Sequence, residues 1–215
     1  MKKMTVDYRV LGSLQTNTYF LINEETSETI VVDPADSADY IMSQFQFRGY
    51  KMAGILITHG HFDHIGAAEQ LRKLSGVKIY APLDEKEFMN DADLNRSKVW
   101  ASATTCEADV YLKDGEEFEL AGFKFKVLHT PGHTAGSCCY YCEDEGILLS
   151  GDTLFRETFG RTDLPTGSLT ALIRSLRSIL FKLPPETDVF PGHGDFTTIE
   201  HELSYNPVSR EKIRM

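Results

Sequence analysis

The sequence predicts an α/β fold, in which strands and helices alternate along the chain. Short apolar runs rich in Val and Ile, such as residues 29–33 and 52–57, are typical of buried strands. Longer segments with apolar residues at helical spacing lie between such runs, and a glycine stands just after two of these segments, as it does at many helix ends. This alternation indicates an open sheet whose strands are connected through helices.

The first third of the chain predicts strands followed by a strand–helix–strand unit. The predicted strands cover residues 17–23, 29–33 and 52–57. A helix is predicted over residues 37–48, ending at Gly49, and a second amphipathic helix over residues 64–75. The apolar face of the second helix holds Ile65, Ala68, Leu71 and Leu74.

The rest of the chain predicts further strands and two more helices. The predicted strands cover residues 77–80, 123–129, 137–142, 146–149 and 188–191. A helix that begins at Ser168 keeps its apolar residues at helical spacing until Pro184 ends it, and a short helix begins near Thr198. The polar segment of residues 84–117 is the least regular, and it either covers an active site or forms a surface excursion.

Composition favours one globular domain over residues 1–215, because internal repeats and linker-like stretches are lacking. No apolar run approaches the ~18 residues of a membrane span, and the N-terminus lacks the apolar core of a secretory signal. We therefore expect a cytoplasmic location and no membrane partner. The net charge of −10 disfavours nucleic acid, which binds clustered Lys and Arg, so a small molecule is the expected substrate.

The cysteines are concentrated in one predicted strand, which contains Cys138, Cys139 and Cys142, while Cys106 lies apart. The spacing of Cys139 and Cys142 is that of a redox pair or of half a zinc site, but no second pair completes such a site. Because free cysteine is among the most buried residue types, we expect buried thiols without disulfides.

Histidine carries the clearest functional signal. His59, His61, Asp63 and His64 follow an apolar strand directly, at the strand end where open α/β sheets place their sites. Imidazole suits zinc and iron, and a carboxylate adds charge-neutralising ligation, so this loop predicts a metal site. The alternative is a surface loop rich in histidine, but crowding four such groups without a metal is costly.

Three later strands each deliver one more metal-capable residue at their ends. His133 stands in HTPGHT, Asp152 in GDTLF and His193 in PGHGD, each with glycine next to it or close by. Glycine lets the backbone approach a metal closely. Together with the loop of residues 59–64, four segments far apart in sequence are thus expected to meet at one site.

The order H-x-H-x-D-H, then H, D and H on separate strand ends, resembles the metallo-β-lactamase superfamily over nearly the whole chain. The resemblance implies an αββα four-layer sandwich with two divalent metal ions at one edge, most often zinc, with iron or manganese as alternatives. It assigns His59, His61 and His133 to the first metal, Asp63, His64 and His193 to the second, and Asp152 to both. It also implies that Asp33 supports the loop that carries the metal ligands.

Within the superfamily, THGHFDH, HTPGHT and GDTLF resemble the glyoxalase II branch of hydroxyacylglutathione hydrolases. This branch implies hydrolysis of a thioester, for which an anionic acyl-glutathione is the leading substrate. A hydroxide between the metals would attack the carbonyl, and Asp63 would orient the water and take its proton. The chain ends soon after its last predicted helix, where glyoxalase II enzymes carry a further helical segment that helps hold glutathione, so we do not expect glutathione specificity.

Arg161 stands where the family has a basic residue that contacts the substrate carboxylate; the alternative is a structural salt bridge. GRTD, around Arg161, also resembles the persulfide dioxygenases of the superfamily, in which one iron would be held by His59, His133 and Asp152. Hydrolysis of a lactone or another ester at the same centre is a further alternative.

Two histidines fall outside the predicted site. His129 opens the HTPGHT loop and is expected to be a supporting or structural group, because the family's ligand is the second histidine of that motif. His201 lies in a polar C-terminal helix and is expected to be solvated.

Overall fold

A computed structural model of the chain describes residues 3–209. Its strands are Met4–Leu11 (β1), Thr16–Asn23 (β2), Glu28–Val32 (β3), Lys51–Leu56 (β4), Ile79–Pro82 (β5), Val110–Leu112 (β6), Glu117–Leu120 (β7), Phe123–His129 (β8), Cys138–Cys142 (β9), Ile147–Gly151 (β10), Leu154–Phe155 (β11), Thr158–Phe159 (β12), Asp188–Pro191 (β13) and Thr197–Thr198 (β14). Its α-helices are Ala38–Arg48 (α1), Phe62–Ile65 (α2), Ala68–Ser75 (α3), Lys86–Met89 (α4), Ser97–Trp100 (α5), Leu169–Ser178 (α6) and Ile199–Tyr205 (α7). Short 3₁₀ helices lie at Leu83–Glu85 and Leu180–Lys182. Residues 210–215 lie outside the described residues. The expectation that this chain lacks a glutathione-binding helical segment rests partly on them.

Two six-stranded sheets form the centre of the molecule. The first has the strand order β1-β2-β3-β4-β5-β6, and the second has the order β14-β13-β10-β9-β8-β7. Strands β3 to β6 run parallel to one another, as do β10 and β13. Parallel neighbours end at the same sheet edge, so the loops that follow β3 and β4 are brought together, as are those that follow β10 and β13.

The apolar side chains form three clusters that separate four layers. One cluster lies between the two sheets and includes Leu21, Ile30, Phe125 and Tyr140. A second lies between the first sheet and helices α1 and α3, and a third lies between the second sheet and helices α6 and α7. This αββα arrangement confirms the predicted fold class, because each sheet buries both faces only when helices cover its outer side.

Most predicted elements are present within one or two residues of their expected ends, and several short or polar strands were not predicted. Strands β1, β6, β7 and β14 belong to this group. β1 and β7 expose part of their length, and β14 has only two residues. Edge strands of this kind lack the continuous apolar run that marks a buried strand.

The prediction of one continuous helix over residues 64–75 was wrong. The chain forms α2 and α3 instead, separated by Gly66 and Ala67, and the amide of Ala67 donates to the carbonyl of Pro34 at 2.9 Å. The loop after β3 therefore packs into the break between the two helices. Leu74, predicted on the buried face, is half exposed near the end of α3.

All four cysteines are free and buried, as predicted. Cys138 and Cys142 face the core between the sheets, whereas Cys139 faces the outer cluster under α6, which is the alternation that a strand buried on both sides produces. Burial raises the pKa of the Cys139 and Cys142 thiols to about 11, which keeps both as inert thiols.

Within residues 3–209, the helices are all too short or too polar to cross a bilayer.

Gly66 is expected to tolerate no side chain. A Cβ at this position would lie 2.1 Å from the carbonyl oxygen of Ala35, so either the loop after β3 or the α2–α3 junction must move. We expect Gly66→Ala to lower the free energy of unfolding by about 1–3 kcal/mol. Urea denaturation measures this, with Lys73→Ala on the exposed face of α3 as the control, expected within ~0.5 kcal/mol of the parent. Equal stability of the two variants would contradict the packing argument.

Candidate metal centre

Four chain segments deliver the predicted metal-binding side chains to one edge of the two sheets. The loop after β4 and the start of α2 carry four of them, and the segments after β8, β10 and β13 carry one each. The site contains His59, His61, Asp63, His64, His133, Asp152 and His193. All seven residues predicted from the sequence as ligands are thus brought together by the fold.

The first group consists of His59, His61 and His133. The Nδ1 atom of His61 lies 2.9 Å from the Nε2 atom of His133, and one ligand atom from each of the three rings lies within 4.8 Å of the others. All three residues are buried. Ring nitrogens that face each other at this distance need a shared proton or a shared cation between them.

The second group consists of Asp63, His64 and His193. The Oδ2 atom of Asp63 lies 3.3 Å from Nε2 of His193 and 3.6 Å from Nε2 of His64. It also accepts a hydrogen bond of 2.9 Å from the hydroxyl of Thr16, at the start of β2. His64 is fully buried, whereas the side chain of His193 is 26% exposed, so this group forms the more open side of the centre.

Asp152 lies between the two groups. Its Oδ2 atom is 3.4 Å from Nε2 of His133 and 3.5 Å from Nε2 of His193, while its Oδ1 atom is 3.4 Å from Nε2 of His64. A Cβ on Gly192 would lie 2.2 Å from Oδ1 of Asp152, so the carboxylate reaches this position only because residue 192 is glycine. From this position the carboxylate would be within reach of metal ions held by either group.

The donor set fits metal ions. Four buried atoms of the centre make no hydrogen bond to any residue that the structure describes: Nε2 of His59, His61 and His64, and Oδ1 of Asp152. Buried polar atoms without partners are rare in folded proteins, since each costs the desolvation of its group. Imidazole nitrogen with carboxylate oxygen is the ligand chemistry of zinc, iron and manganese, and such ions would satisfy these atoms.

The pKa values of the histidines differ between the two groups. Burial lowers the pKa of His59 well below its usual value, lowers that of His61 to about 3, and lowers that of His133. These rings are neutral at pH 7, which is the form that coordinates a metal. Burial also acts against protonation of His64 and His193, but the carboxylates outweigh it, raising the pKa of His64 well above its usual value and that of His193 to about 9.

The two carboxylates of the centre stay ionised. Burial alone would raise their pKa values, but His64 and His193 lower the pKa of Asp63 to about 2 and that of Asp152 well below its usual value. In the metal-free chain, protons on the two histidines offset this negative charge. Divalent cations would take over that role and release the protons.

Asp33 supports the metal loop as the resemblance implied. Its Oδ1 accepts the amide of Thr58 at 2.8 Å, and its Oδ2 accepts the Thr58 hydroxyl at 2.7 Å and lies 2.9 Å from Nδ1 of His64. The Thr58 hydroxyl also lies 3.1 Å from Nδ1 of His59. Holding the far nitrogen of each ring directs the other nitrogen into the centre.

Glu85 is a supporting residue that the sequence analysis missed. It is fully buried, and its Oε2 accepts the amide of Gly60 at 2.7 Å, between His59 and His61. Its Oε1 accepts the Thr134 hydroxyl at 2.7 Å and the amide of Gly136 at 2.9 Å. One carboxyl group thus ties the loop of the first sheet to the loop of the second. Burial raises its pKa to about 7, against the lowering effect of these hydrogen bonds.

A pocket of about 310 Å³ opens above the centre. Its walls combine metal-site residues with apolar and cationic side chains: Leu14, His61, Phe62, Asp63, Arg96, Trp100, His133, Asp152, Phe155, Arg161, Leu164 and His193. Arg96 and Trp100 belong to residues 84–117, so this segment covers the site, which was one of the two alternatives for it. Trp100 stood out in the sequence as the single tryptophan of the chain, whereas nothing in the composition of the segment marked Arg96.

Arg161 lines this pocket, and its side chain forms the salt bridge that was the alternative interpretation. Nε and Nη2 each donate at 2.8 Å to the carboxylate of Asp163, and the guanidinium carbon lies 5.9 Å from the ring centre of Trp100. The Arg161 carbonyl accepts a hydrogen bond of 2.8 Å from Nδ1 of His133. The backbone of residue 161 therefore orients a ring of the first group.

The remaining histidines lie outside the centre. His129 donates from Nε2 to the carbonyl of Ala135 at 2.9 Å, which stabilises the loop that carries His133, in agreement with the predicted structural role. His201 was expected to be solvated, but its Nε2 lies 2.9 Å from Glu157, and its ring packs 4.6 Å from that of Tyr205. The helix α7 packs against the second sheet, and this partly buries the histidine.

Comparison with known proteins agrees with this geometry. A family model described as the metallo-beta-lactamase superfamily matches residues 11–193, which include every side chain of the centre. The chain is 36% identical to a probable metallo-hydrolase of Bacillus subtilis, YqgX, over 92% of this chain and 93% of that protein. It is 31% identical to the hydroxyacylglutathione hydrolase GloC of Haemophilus influenzae, over 97% of this chain and 100% of that protein.

Solved structures show the same fold. The BLEG-1 B3 metallo-beta-lactamase superposes with a TM-score of 0.91 at 36% identity, covering 96% of this chain and 100% of that one. TTHA1623 in a di-iron-bound form superposes with a TM-score of 0.83 at 35% identity, covering 94% and 98%. ETHE1 from Myxococcus xanthus superposes with a TM-score of 0.80 at 28% identity, covering 96% and 85%.

Removing the Glu85 carboxyl group is expected to loosen the metal centre. Glu85→Ala leaves the amides of Gly60 and Gly136 and the Thr134 hydroxyl without their acceptor, at about 1–3 kcal/mol for each buried group. We expect a lower free energy of unfolding in urea and a metal affinity about 10–100-fold weaker by chelator competition. The control is Glu87→Ala, an exposed position on α4. Unchanged metal affinity in Glu85→Ala would limit this residue to a role in folding.

Proposed function

Because the chain belongs to the metallo-beta-lactamase superfamily, we propose that it is a hydrolase that uses two divalent metal ions to cleave a thioester. The proposal keeps the ligand assignment made from the sequence, with zinc as the expected metal and iron or manganese as alternatives. The second group of ligands is the observation that carries it. Asp63, His64 and His193 form a second set of three metal-capable side chains, in addition to the set that a single ion would need.

The residues of the chain have separate tasks in this proposal. Bound metal ions would supply Lewis acidity and lower the pKa of a coordinated water. Asp63 faces the pocket, and the Thr16 hydroxyl donates to it, which fixes the carboxylate as an acceptor for the attacking water. We therefore assign to Asp63 the tasks expected from the sequence, which are to orient this water and to take its proton.

A thioester fits the chemistry of this site. A thiolate leaves without needing a proton, so the pocket does not have to supply a general acid for the leaving group. The relative GloC is named a hydroxyacylglutathione hydrolase, which supports this class of bond. The apolar walls formed by Phe62, Trp100, Phe155 and Leu164 would exclude water from the acyl chain.

A second candidate function is oxidation of a persulfide at a single iron. The GRTD sequence around Arg161, which resembles the persulfide dioxygenases of the superfamily, favours it. In that case His59, His133 and Asp152 would hold the metal, and the second group would have no ligand function. The two proposals therefore differ in what His193 does.

Replacing His193 is expected to separate the two candidates. In the two-metal hydrolase, His193→Ala removes a ligand of the second group, so the metal content should fall from about two ions per chain to about one. Turnover should fall at least ~100-fold, since even outer partners of metal ligands are worth about 10–100-fold. His201→Ala is the matched control, because that ring is paired with Glu157 outside the centre. One iron per chain and undiminished oxygen uptake in His193→Ala would instead establish the dioxygenase.

A substrate panel tests the bond that is cleaved. We expect the zinc-loaded protein to hydrolyse S-lactoylglutathione or simple acyl thioesters faster than the corresponding oxygen esters and lactones, because thiolate is the better leaving group. A β-lactam belongs in the panel because BLEG-1 is named a metallo-beta-lactamase. Release of thiol and of acid is measured against protein treated with a chelator. A preference for oxygen esters, lactones or β-lactams would replace the thioester assignment with that class.

A further inference from the structure

The guanidinium of Arg96 stands without a partner in the wall of the pocket. Within residues 3–209, its side chain makes no hydrogen bond or ion pair, and its Nε atom is buried. The same residue lines the pocket together with His61, Asp63 and His133. A buried donor on a charged group costs free energy when it is unsatisfied, so this atom is suited to an acceptor that arrives from outside.

The backbone around Arg96 is held in an uncommon conformation. Arg96 has φ 70° and ψ 4°, the left-handed region that costs a non-glycine residue about 1 kcal/mol or more. Its two neighbours hold it there: Asn95 donates to the Thr104 carbonyl at 2.8 Å, and Ser97 exchanges hydrogen bonds with Thr104. Both neighbours are fully buried. Buried contacts therefore hold the backbone from which the Arg96 side chain extends into the pocket wall.

The other arginine of the pocket is already satisfied. Arg161 donates twice to Asp163, so its charge and two of its donors are taken. Arg96 is the cation of the pocket wall that remains for a ligand, among the described residues. A planar guanidinium matches a planar carboxylate in a pair of parallel hydrogen bonds.

We propose that Arg96 binds a carboxylate of the substrate and so selects anionic thioesters over neutral ones. The inference rests on the proposed thioesterase for the identity of the substrate, while binding of the carboxylate itself does not depend on turnover. Arg96 would position the substrate at a distance from the scissile bond, so its contribution is expected in binding and in kcat/KM.

Trp100 gives a direct readout of binding. It is the single tryptophan of the chain and it lines the same pocket. The probes are N-acetyl-S-methylcysteine and N-acetyl-S-methylcysteamine, which differ by one carboxylate and cannot be hydrolysed as thioesters. We expect the zinc-loaded protein to bind the carboxylate probe at least ~10-fold more tightly, which is the effect of about 1.4 kcal/mol of selective interaction.

Two variants of Arg96 separate charge from folding. Asparagine tolerates the left-handed backbone best among side chains of this kind, so Arg96→Asn removes the cation without added strain. Arg96→Lys keeps the charge and loses the planar pair of donors. We expect Arg96→Asn to bind both probes equally and Arg96→Lys to keep part of the preference. Arg174→Gln, an exposed position on α6, is the control and should match the parent. Equal preference in the parent and in Arg96→Asn would overturn the proposal.

Kinetics with the matching acetyl thioesters of N-acetylcysteine and N-acetylcysteamine complete the test. Arg96→Asn should lose about 10–100-fold in kcat/KM for the carboxylate substrate and less than ~3-fold for the neutral one. An equal loss for both substrates would overturn the role of Arg96 and leave the thioesterase standing. Selective binding of the carboxylate probe without turnover of either thioester would support the anion site and overturn the proposed function.

Discussion

Crowding of imidazole and carboxylate groups in a small buried volume is the constraint on which the rest of this structure depends. Asp152 reaches rings of both groups, and ring nitrogens of His61 and His133 face each other at 2.9 Å. Without cations, such a cluster leaves buried atoms unsatisfied and must hold protons on His64 and His193. The fold therefore has to supply both a rigid frame and the positive charge that the ligands require.

The frame comes from the meeting of two sheets at one edge. Asp33 holds the ligand-bearing loop of the first sheet in place through its side-chain contacts with Thr58 and His64. Glu85 fixes the same loop to that of the second sheet through Gly60 and Thr134. Asp33 thus holds the ligands within one loop, and Glu85 sets the distance between the two halves of the centre, since ligand atoms are held only as precisely as the loops that carry them.

Chemistry and selectivity are carried by different parts of the chain. The residues at the strand ends are those expected throughout the superfamily, and they account for metal-dependent hydrolysis as a class. Residues 84–117 contribute a pocket wall in which Trp100 lies beside the Arg161–Asp163 pair and Arg96 has no partner among the described residues. Asp163 already pairs with Arg161, whereas Arg96 remains available to a ligand. We therefore place the discrimination between substrates at this wall.

The sequence by itself determined the alternation of strands and helices and the seven clustered side chains, and its resemblance to the superfamily implied the four layers. A strand that is buried on both faces appears in the sequence as a continuous apolar run. Metal ions bind few residue types, so histidines and aspartates at strand ends can be identified as candidate ligands. Only the tertiary structure decided the break at Gly66, the bridging position of Glu85, and the difference between Arg96 and Arg161. Each of these depends on atoms from segments distant in sequence that come within a few ångströms, and a single glutamate or arginine carries no periodicity or spacing that reveals its partner.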